Sequence, residues 1–178
     1  MKPWAPEVLR FWFGLQPAQH WKADAELDAQ IRSRFLTLWE EERDGLPPQF
    51  LGSADEALAA IILFDQFPRN MFRGHADQFA SDLLALGIAR RGVDLGLDQQ
   101  MPEERRVFFY LPFEHSEDLA DQRQSLLLFT RLGDATYLDF ARKHYDVIDR
   151  FGRFPHRNAA LGRQSTPEEE AFGLEPPW

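Results

Sequence analysis

The sequence predicts an all-α protein, and three observations support this class. Apolar residues recur at helical spacing along nearly the whole chain, helix start and stop signals bracket these stretches, and no alternating segments flank an Asn-Gly or Asp-Gly turn. The 178 residues, 44% of them hydrophobic, suffice for a single helical domain, residues 1–178, with a substantial core. About eight helices are predicted, and their short turns favour antiparallel neighbours.

Each predicted helix begins at a residue suited to a first turn, in the order Pro6, Asp24, Ser53, Ser81, Pro102, Ser116, Asp134 and Thr166. The first seven end at Gly14, Gly45, Pro68, Gly96, Pro112, Gly133 and Gly152. Pro fits a first turn because its missing N–H is not needed there, and Ser, Thr or Asp oxygens accept the free N–H groups. Gly ends a helix by adopting the left-handed conformation, and Pro ends one because it cannot donate.

The third helix has the most specific start signal and a clear expected end. Ser53 and Glu56 have the spacing of a capping box, in which each side chain accepts the other residue's N–H. Pro68 disfavours the helical conformation of the residue before it, so this helix is expected to end near Phe67.

The sixth and seventh helices, residues 117–132 and 135–150, together span about 34 residues, the period of a tetratricopeptide helix pair. The Trp/Gly/Tyr/Ala consensus of that repeat is missing. The spacing therefore predicts at most a divergent, tetratricopeptide-like array of antiparallel helix pairs.

Composition excludes several classes of function. The chain has no cysteine, which excludes disulfide scaffolds, thiolate metal sites and cysteine nucleophiles. Its net charge of −9 argues against nucleic-acid binding, which needs a basic surface. The longest apolar run, Ala57–Phe64, has eight residues and is too short to span a membrane, and no secretory signal is visible. We therefore expect a soluble, cytoplasmic protein with no nucleic-acid or membrane partner.

The two asparagines of the chain mark two similar motifs. Asn70 ends the stretch Phe67-Pro68-Arg69-Asn70, and Asn158 ends the stretch Phe154-Pro155-His156-Arg157-Asn158. In each, Pro stops a helix, Phe is expected to anchor the turn in the core, and Arg and Asn offer planar donors. The bland alternative is that Arg neutralises helix-end carbonyls and Asn tolerates the left-handed conformation.

A third stretch, residues 112–118, carries Glu114 and His115 just before the predicted cap Ser116. A His beside a carboxylate can act as a general base or a metal ligand, because its pKa lies near neutrality. The alternative is an ordinary surface histidine. His20, His75 and His144 have no companion pattern, and His144 is expected to be partly exposed.

No phosphate-binding glycine loop, metalloprotease motif or nucleophile elbow occurs. A metal site built from His115, His156 and carboxylates would need tertiary folding to join them. The sequence predicts neither a metal site nor a cofactor.

These stretches carry a family resemblance. Asp65–Gly74, Pro112–Gln122 and Phe154–Asn158, followed by Leu161–Glu169, resemble segments of a largely bacterial family named domain of unknown function 924. The resemblance covers almost the full chain. It implies a tetratricopeptide-like all-α fold and no established reaction.

Three functions stay open at this stage. The chain is a binding module for an anionic small molecule or peptide, an enzyme of hydrolase or transferase type, or a protein whose motifs only lock helix ends together. In the enzyme, His115 is the general acid/base and Glu114 tunes it. The residues expected to bind a ligand are Asp65, Gln66, Arg69, Asn70, Arg73, His156, Arg157 and Asn158.

Overall fold

The protein forms nine α-helices and no β-strand, which confirms the all-α class; the computed structural model describes residues 1–178. The helices are α1 (Ala5–Phe13), α2 (Ala25–Glu42), α3 (Ala54–Ile61), α4 (Phe67–Met71), α5 (Asp82–Asp94), α6 (Glu103–Glu114), α7 (Leu119–Leu132), α8 (Ala135–Phe151) and α9 (Pro167–Phe172). They divide into two compact units, Met1–Pro112 and Phe113–Trp178. No helix combines the length and the apolar character that crossing a membrane requires.

Local capping signals locate most helix starts correctly. The Asp24 carboxylate accepts the N–H of Glu26 at 3.0 Å, and Asp134 and Thr166 cap α8 and α9 in the same way. Two start predictions are wrong in detail. Ser81 precedes α5, but its side chain makes no capping hydrogen bond. Asp118, not Ser116, caps α7, while the Ser116 hydroxyl donates to Asp121 at 2.6 Å.

Only one of the two hydrogen bonds of the predicted α3 capping box is present. Ser53 Oγ accepts the Glu56 N–H at 3.1 Å. The Glu56 carboxylate instead accepts the backbone N–H of Lys2 at 2.7 Å and pairs with the amino group of Met1. The buried carboxylate therefore ties the amino-terminal residues to α3.

The predicted helix end at Phe67 is also wrong. A π-helical segment, Ile62–Gln66, joins α3 directly to α4, and the Phe67 N–H bonds the Ile62 carbonyl. Pro68 has no N–H to offer the Phe64 carbonyl one turn back, but the Ser81 hydroxyl donates to that oxygen at 2.6 Å. The chain stays helical because a side chain from α5's start supplies the missing donor.

The core of the first unit is aromatic and centres on Phe67. This fully buried ring lies 4.6 Å from Phe35 and 5.8 Å from Trp12, and Phe11 contacts it edge-on. Around the core, α1 and α5 pack on α3, and α2 packs on α4. The first Arg-Asn motif is thus held by its Phe, as the sequence predicts.

In the second unit, α7 and α8 pack side by side and are joined by a two-residue turn. Gly133 in that turn has φ 85°, which only Gly adopts without strain. A small core of Val147, Ile148 and Phe154 lies beyond the hairpin, and Trp178 packs against it. This core positions the second motif.

Candidate functional site

The first motif lies at α4 and forms a network of charged side chains within the first unit. Arg69 donates through both Nη atoms to the Asp82 carboxylate of α5, at 2.8 and 2.9 Å. Its Nη1 also donates to the Asp65 carbonyl at 2.6 Å and lies 3.3 Å from the Asp65 carboxylate. Burial opposes the charge on Arg69, but the two carboxylates outweigh it and raise the guanidinium pKa.

The rest of the first motif pairs with Asp28 of α2. Arg73 donates to both carboxylate oxygens of Asp28, at 2.7 and 2.9 Å, and the Asn70 amide donates at 2.8 Å. Burial alone would raise the Asp28 pKa, but these donors outweigh it and lower the pKa. Gln66 is buried and donates to the Asp65 carboxylate. The motif therefore ties α4 to α2 and α5.

The second candidate site is a histidine cluster in the second unit. We use this name for six residues: Glu114, His115, His144, His156, Arg157 and Trp178. His115 follows α6, His144 lies on α8, and His156 and Arg157 lie in the 3₁₀ turn Pro155–Arg157. Arg157 donates to the His115 carbonyl at 2.9 Å and stacks over the Phe154 ring at 4.5 Å. With the segment that carries Trp178, four separate parts of the chain thus contribute to the cluster.

His144 lies at the centre of this cluster. It is only 5% exposed, so the expectation of a partly exposed residue is wrong. Its Nδ1 lies 2.8 Å from the Phe140 carbonyl and 3.4 Å from the Glu114 carboxylate. Its ring lies 6.4 Å from the His115 ring and 3.6 Å from the Trp178 indole, which stacks on it.

The protonation state of His144 follows from these surroundings. Burial lowers its pKa well below 6.5; the Phe140 carbonyl opposes this, and the charges of His115, Arg157 and His156 lower it further. The ring is therefore neutral near pH 7. Because a carbonyl oxygen can only accept, Nδ1 carries the proton and Nε2 carries the lone pair.

Gln122 fixes the loop that carries His115. Its amide nitrogen donates to the carbonyls of Glu114 and Ser116, both at 2.7 Å. The nitrogen assignment is secure because both partners are acceptors. The Gln122 side chain is fully buried, so these two hydrogen bonds anchor the loop to the interior of the second unit.

Asn158 belongs to a different network, which closes the second unit. Its amide donates to Ser165 and Glu169, and its carbonyl accepts from Arg163 at 3.0 Å. Arg163 in turn holds the Glu117 carboxylate through both Nη atoms, at 2.7 and 2.9 Å. Burial would raise the Glu117 pKa, but Arg163 and the Phe154 N–H outweigh it. This network fixes the Phe154 turn against the start of α7.

Two members of the histidine cluster were missed by the sequence reasoning. His144 had a usable signal, because it is spaced three and four residues from Ala141 and Ile148, which form the buried face of α8. The sequence contains no comparable signal for Trp178, because this residue follows α9 in an irregular segment. No group of three or more His, Asp or Glu side chains is arranged to hold a metal ion.

A model of the family described as bacterial protein of unknown function, DUF924, matches residues 8–177. Among solved structures, the protein of unknown function ATU0120 from Agrobacterium tumefaciens is similar, with 40% sequence identity and a TM-score of 0.87. The match covers 94% of this chain and 95% of that one. No curated protein matches the chain.

Proposed function

We propose that this chain, which belongs to the DUF924 family of bacterial proteins of unknown function, is a binding module that recognises an anionic small molecule or peptide. One observation carries the proposal. The side chains of His115, His156 and Arg157 gather around two buried rings: the His115 ring lies 6.4 Å from His144, and the His156 ring and the Arg157 guanidinium lie 5.5 and 4.5 Å from Phe154. Such a group of donors from separate elements is suited to a carboxylate or a phosphate.

The net charge of the chain does not oppose this assignment. The overall charge of −9 acts at long range and is screened within about 8 Å at physiological ionic strength. Binding depends on the groups within a few ångströms of the ligand, and here these include an arginine and two partly exposed histidines, His115 and His156. The negative surface disfavours nucleic acid as a partner, so we propose none.

For the first motif we propose the structural alternative. Arg69 and Arg73 each hold a carboxylate of another helix with two hydrogen bonds, and Asn70 shares one of these carboxylates. A bound anion would have to displace Asp82 or Asp28, which leaves that carboxylate without its partner. The role proposed for these residues, with Asp65 and Gln66, is therefore to fix α4.

The anion proposal is tested by titration with inorganic phosphate and with N-acetylglycine at constant ionic strength. The histidine C–H resonances are followed by NMR, and His156→Ala is compared with His75→Ala, an exposed histidine of the first unit. We expect saturable shifts of His115 and His156 in the wild type and in His75→Ala. His156→Ala should bind about tenfold more weakly, about 1.4 kcal/mol. If neither anion shifts these resonances, or if His156→Ala binds like the wild type, the proposal is wrong.

The second candidate is an acid–base enzyme of hydrolase or transferase type, favoured by the 3.4 Å separation of Glu114 and His144. In this alternative His115 is the general acid/base, and Glu114 tunes the imidazoles beside it. A screen of ester, amide and phosphoester substrates would compare the wild type with His115→Ala. Unchanged activity in that variant would remove His115 from the mechanism.

Two broader features complete the proposal. The α7–α8 hairpin, residues 119–151, has the size of a tetratricopeptide helix pair, which supports a tetratricopeptide-like arrangement. We also propose a cytoplasmic location, in keeping with a chain that contains no cysteine.

A further inference from the structure

Trp178 fills a slot whose walls are three aromatic rings of the histidine cluster and its core. Its indole stacks on the His144 imidazole, with centroids 3.6 Å apart and planes 24° apart. The rings of His156 and Phe154 meet it edge-on, at 5.4 Å and 84° and at 5.9 Å and 80°. One stacked and two edge contacts are the geometry in which aromatic rings attract one another.

Residues 174–178 are attached to the rest of the chain through the side chain of Trp178. Residues 174–178 form no hydrogen bond and no ion pair with the rest of the chain; the last backbone bond is from Gly173 to Glu169. Gly173 has φ 108° and ψ 139°, a conformation that residues with a side chain rarely adopt, and the segment leaves α9 there. The packing of the indole on the rings of His144 and His156 and on the core of Val147, Ile148 and Phe154 is therefore what opposes release of Trp178.

The indole also stays partly exposed, although His144 and Phe154 beneath it are buried. The slot thus opens to solvent at the place where the ring lies. A ring from another molecule can enter by the same opening once Trp178 leaves.

The walls define the chemistry of the ligand. The neutral imidazole of His144 offers a flat face for stacking, and the pKa direction of His144 agrees with that state. The charged and titratable groups around this ring are Glu114, His115, His156 and Arg157. Three of these four are cationic when protonated, so an anion attached to the ring is favoured.

We propose that the slot formed by His144, Phe154 and His156 is a binding site for a planar aromatic ring that carries an anionic group, and that Trp178 competes with this ligand. The inference rests on the proposed function for the anionic half of the ligand. The aromatic half depends only on the ring geometry.

Three probes separate the two halves. N-acetyltryptophan carries the ring and a carboxylate, N-acetyltryptophanamide carries the ring without a charge, and N-acetylglycine carries the carboxylate without the ring. Each is titrated into the wild type, Trp178→Ala and the control Trp21→Ala, with the His144 C–H resonances as the readout. Trp21 is a fair control because its ring is 49% exposed and also stacks on a buried ring, that of Phe108.

We expect Trp178→Ala to bind N-acetyltryptophan at least tenfold more tightly than the wild type or Trp21→Ala. The amide probe should bind Trp178→Ala more weakly than the acid but more tightly than N-acetylglycine. If the amide binds as well as the acid, the slot stands and the anion proposal fails. If N-acetylglycine binds as well as N-acetyltryptophan, the anion proposal stands and the aromatic slot is wrong. If no probe binds, both are wrong.

A second measurement guards against a variant that does not fold. In the wild type, excess N-acetyltryptophan should release Trp178, seen as a change of its indole N–H resonance, while excess N-acetylglycine should not. Trp178→Phe keeps a smaller ring and should bind N-acetyltryptophan with intermediate affinity. An indole resonance of Trp178 that stays constant at saturating N-acetyltryptophan would overturn the competition.

Discussion

Replacing Ser81 by Ala tests the turn at which the chain stays helical through Pro68. The Ser81 hydroxyl donates to the Phe64 carbonyl at 2.6 Å and accepts the Trp39 Nε1–H at 2.9 Å, and all three groups are buried. The variant leaves a buried carbonyl and a buried indole N–H without partners. Each unsatisfied buried group costs about 1–3 kcal/mol, so we expect the two groups together to lower the free energy of unfolding by about 2–6 kcal/mol.

The size of this loss distinguishes it from the loss of a helix cap. Ser81 lies at the N-cap position of α5, but its side chain makes no capping hydrogen bond. At an ordinary helix N-cap, replacing Ser by Gly lowers the free energy of unfolding by only a few tenths of a kcal/mol. We therefore expect Ser81→Gly to be destabilised at least as strongly as Ser81→Ala.

Ser125 provides the matched control. It is also a fully buried serine at a helix, in α7, but its hydroxyl has no hydrogen-bond partner. Ser125→Ala removes an unpaired polar group and should leave stability unchanged or raise it by up to about 1 kcal/mol. Urea unfolding followed by circular dichroism measures all three variants. A cost below about 1 kcal/mol for Ser81→Ala, or equal costs for Ser81→Ala and Ser125→Ala, would refute the reasoning.

Three further predictions concern packing and pH. Gly92→Ala should lower stability by about 1–3 kcal/mol in thermal unfolding, because the added Cβ would lie 2.7 Å from Cε1 of the buried Phe109 and closer still to its Cζ. A hydrogen bond from Arg153 is the largest cause that lowers the Glu169 pKa from 4.5 to about 2. This carboxylate therefore stabilises the fold above pH 4.5, and the contribution is lost as the pH falls towards 2; Glu169→Gln should flatten urea stability across that window. The His144 pKa lies well below its ordinary 6.5, so the neutral ring stabilises the fold above pH 6.5 and this contribution falls below it. His144→Gln should remove that part of the pH dependence, and an NMR titration of His144 with a midpoint at or above 6.5 would contradict the assignment.

The helix starts could be predicted because a cap is a local device. Asp24 and Asp134 accept N–H groups two and three residues ahead, so a short stretch of sequence contains the whole interaction. The helix end at Phe67 could not be predicted in this way. The donor that replaces the missing Pro68 N–H comes from Ser81, 17 residues beyond the carbonyl that it binds, and only the tertiary structure places it there.

The same distinction applies to the candidate sites. Composition identified the Arg-Asn motifs, because rare residues in a repeated order stand out in any sequence. It could not identify their partners, because Asp28 lies 42 residues from Asn70 and His115 lies 42 residues from Arg157.

The two motifs share a Phe-Pro anchor but use their arginines differently. Arg69 holds Asp82 with two hydrogen bonds, so its charge is committed to joining helices. Arg157 lies over the Phe154 ring and donates to the His115 carbonyl, and its charge is one of the smaller causes that, after burial, lower the pKa of His144. We therefore propose the anion site at the histidine cluster and not at the first motif, although both motifs contain the same Arg-Asn pair.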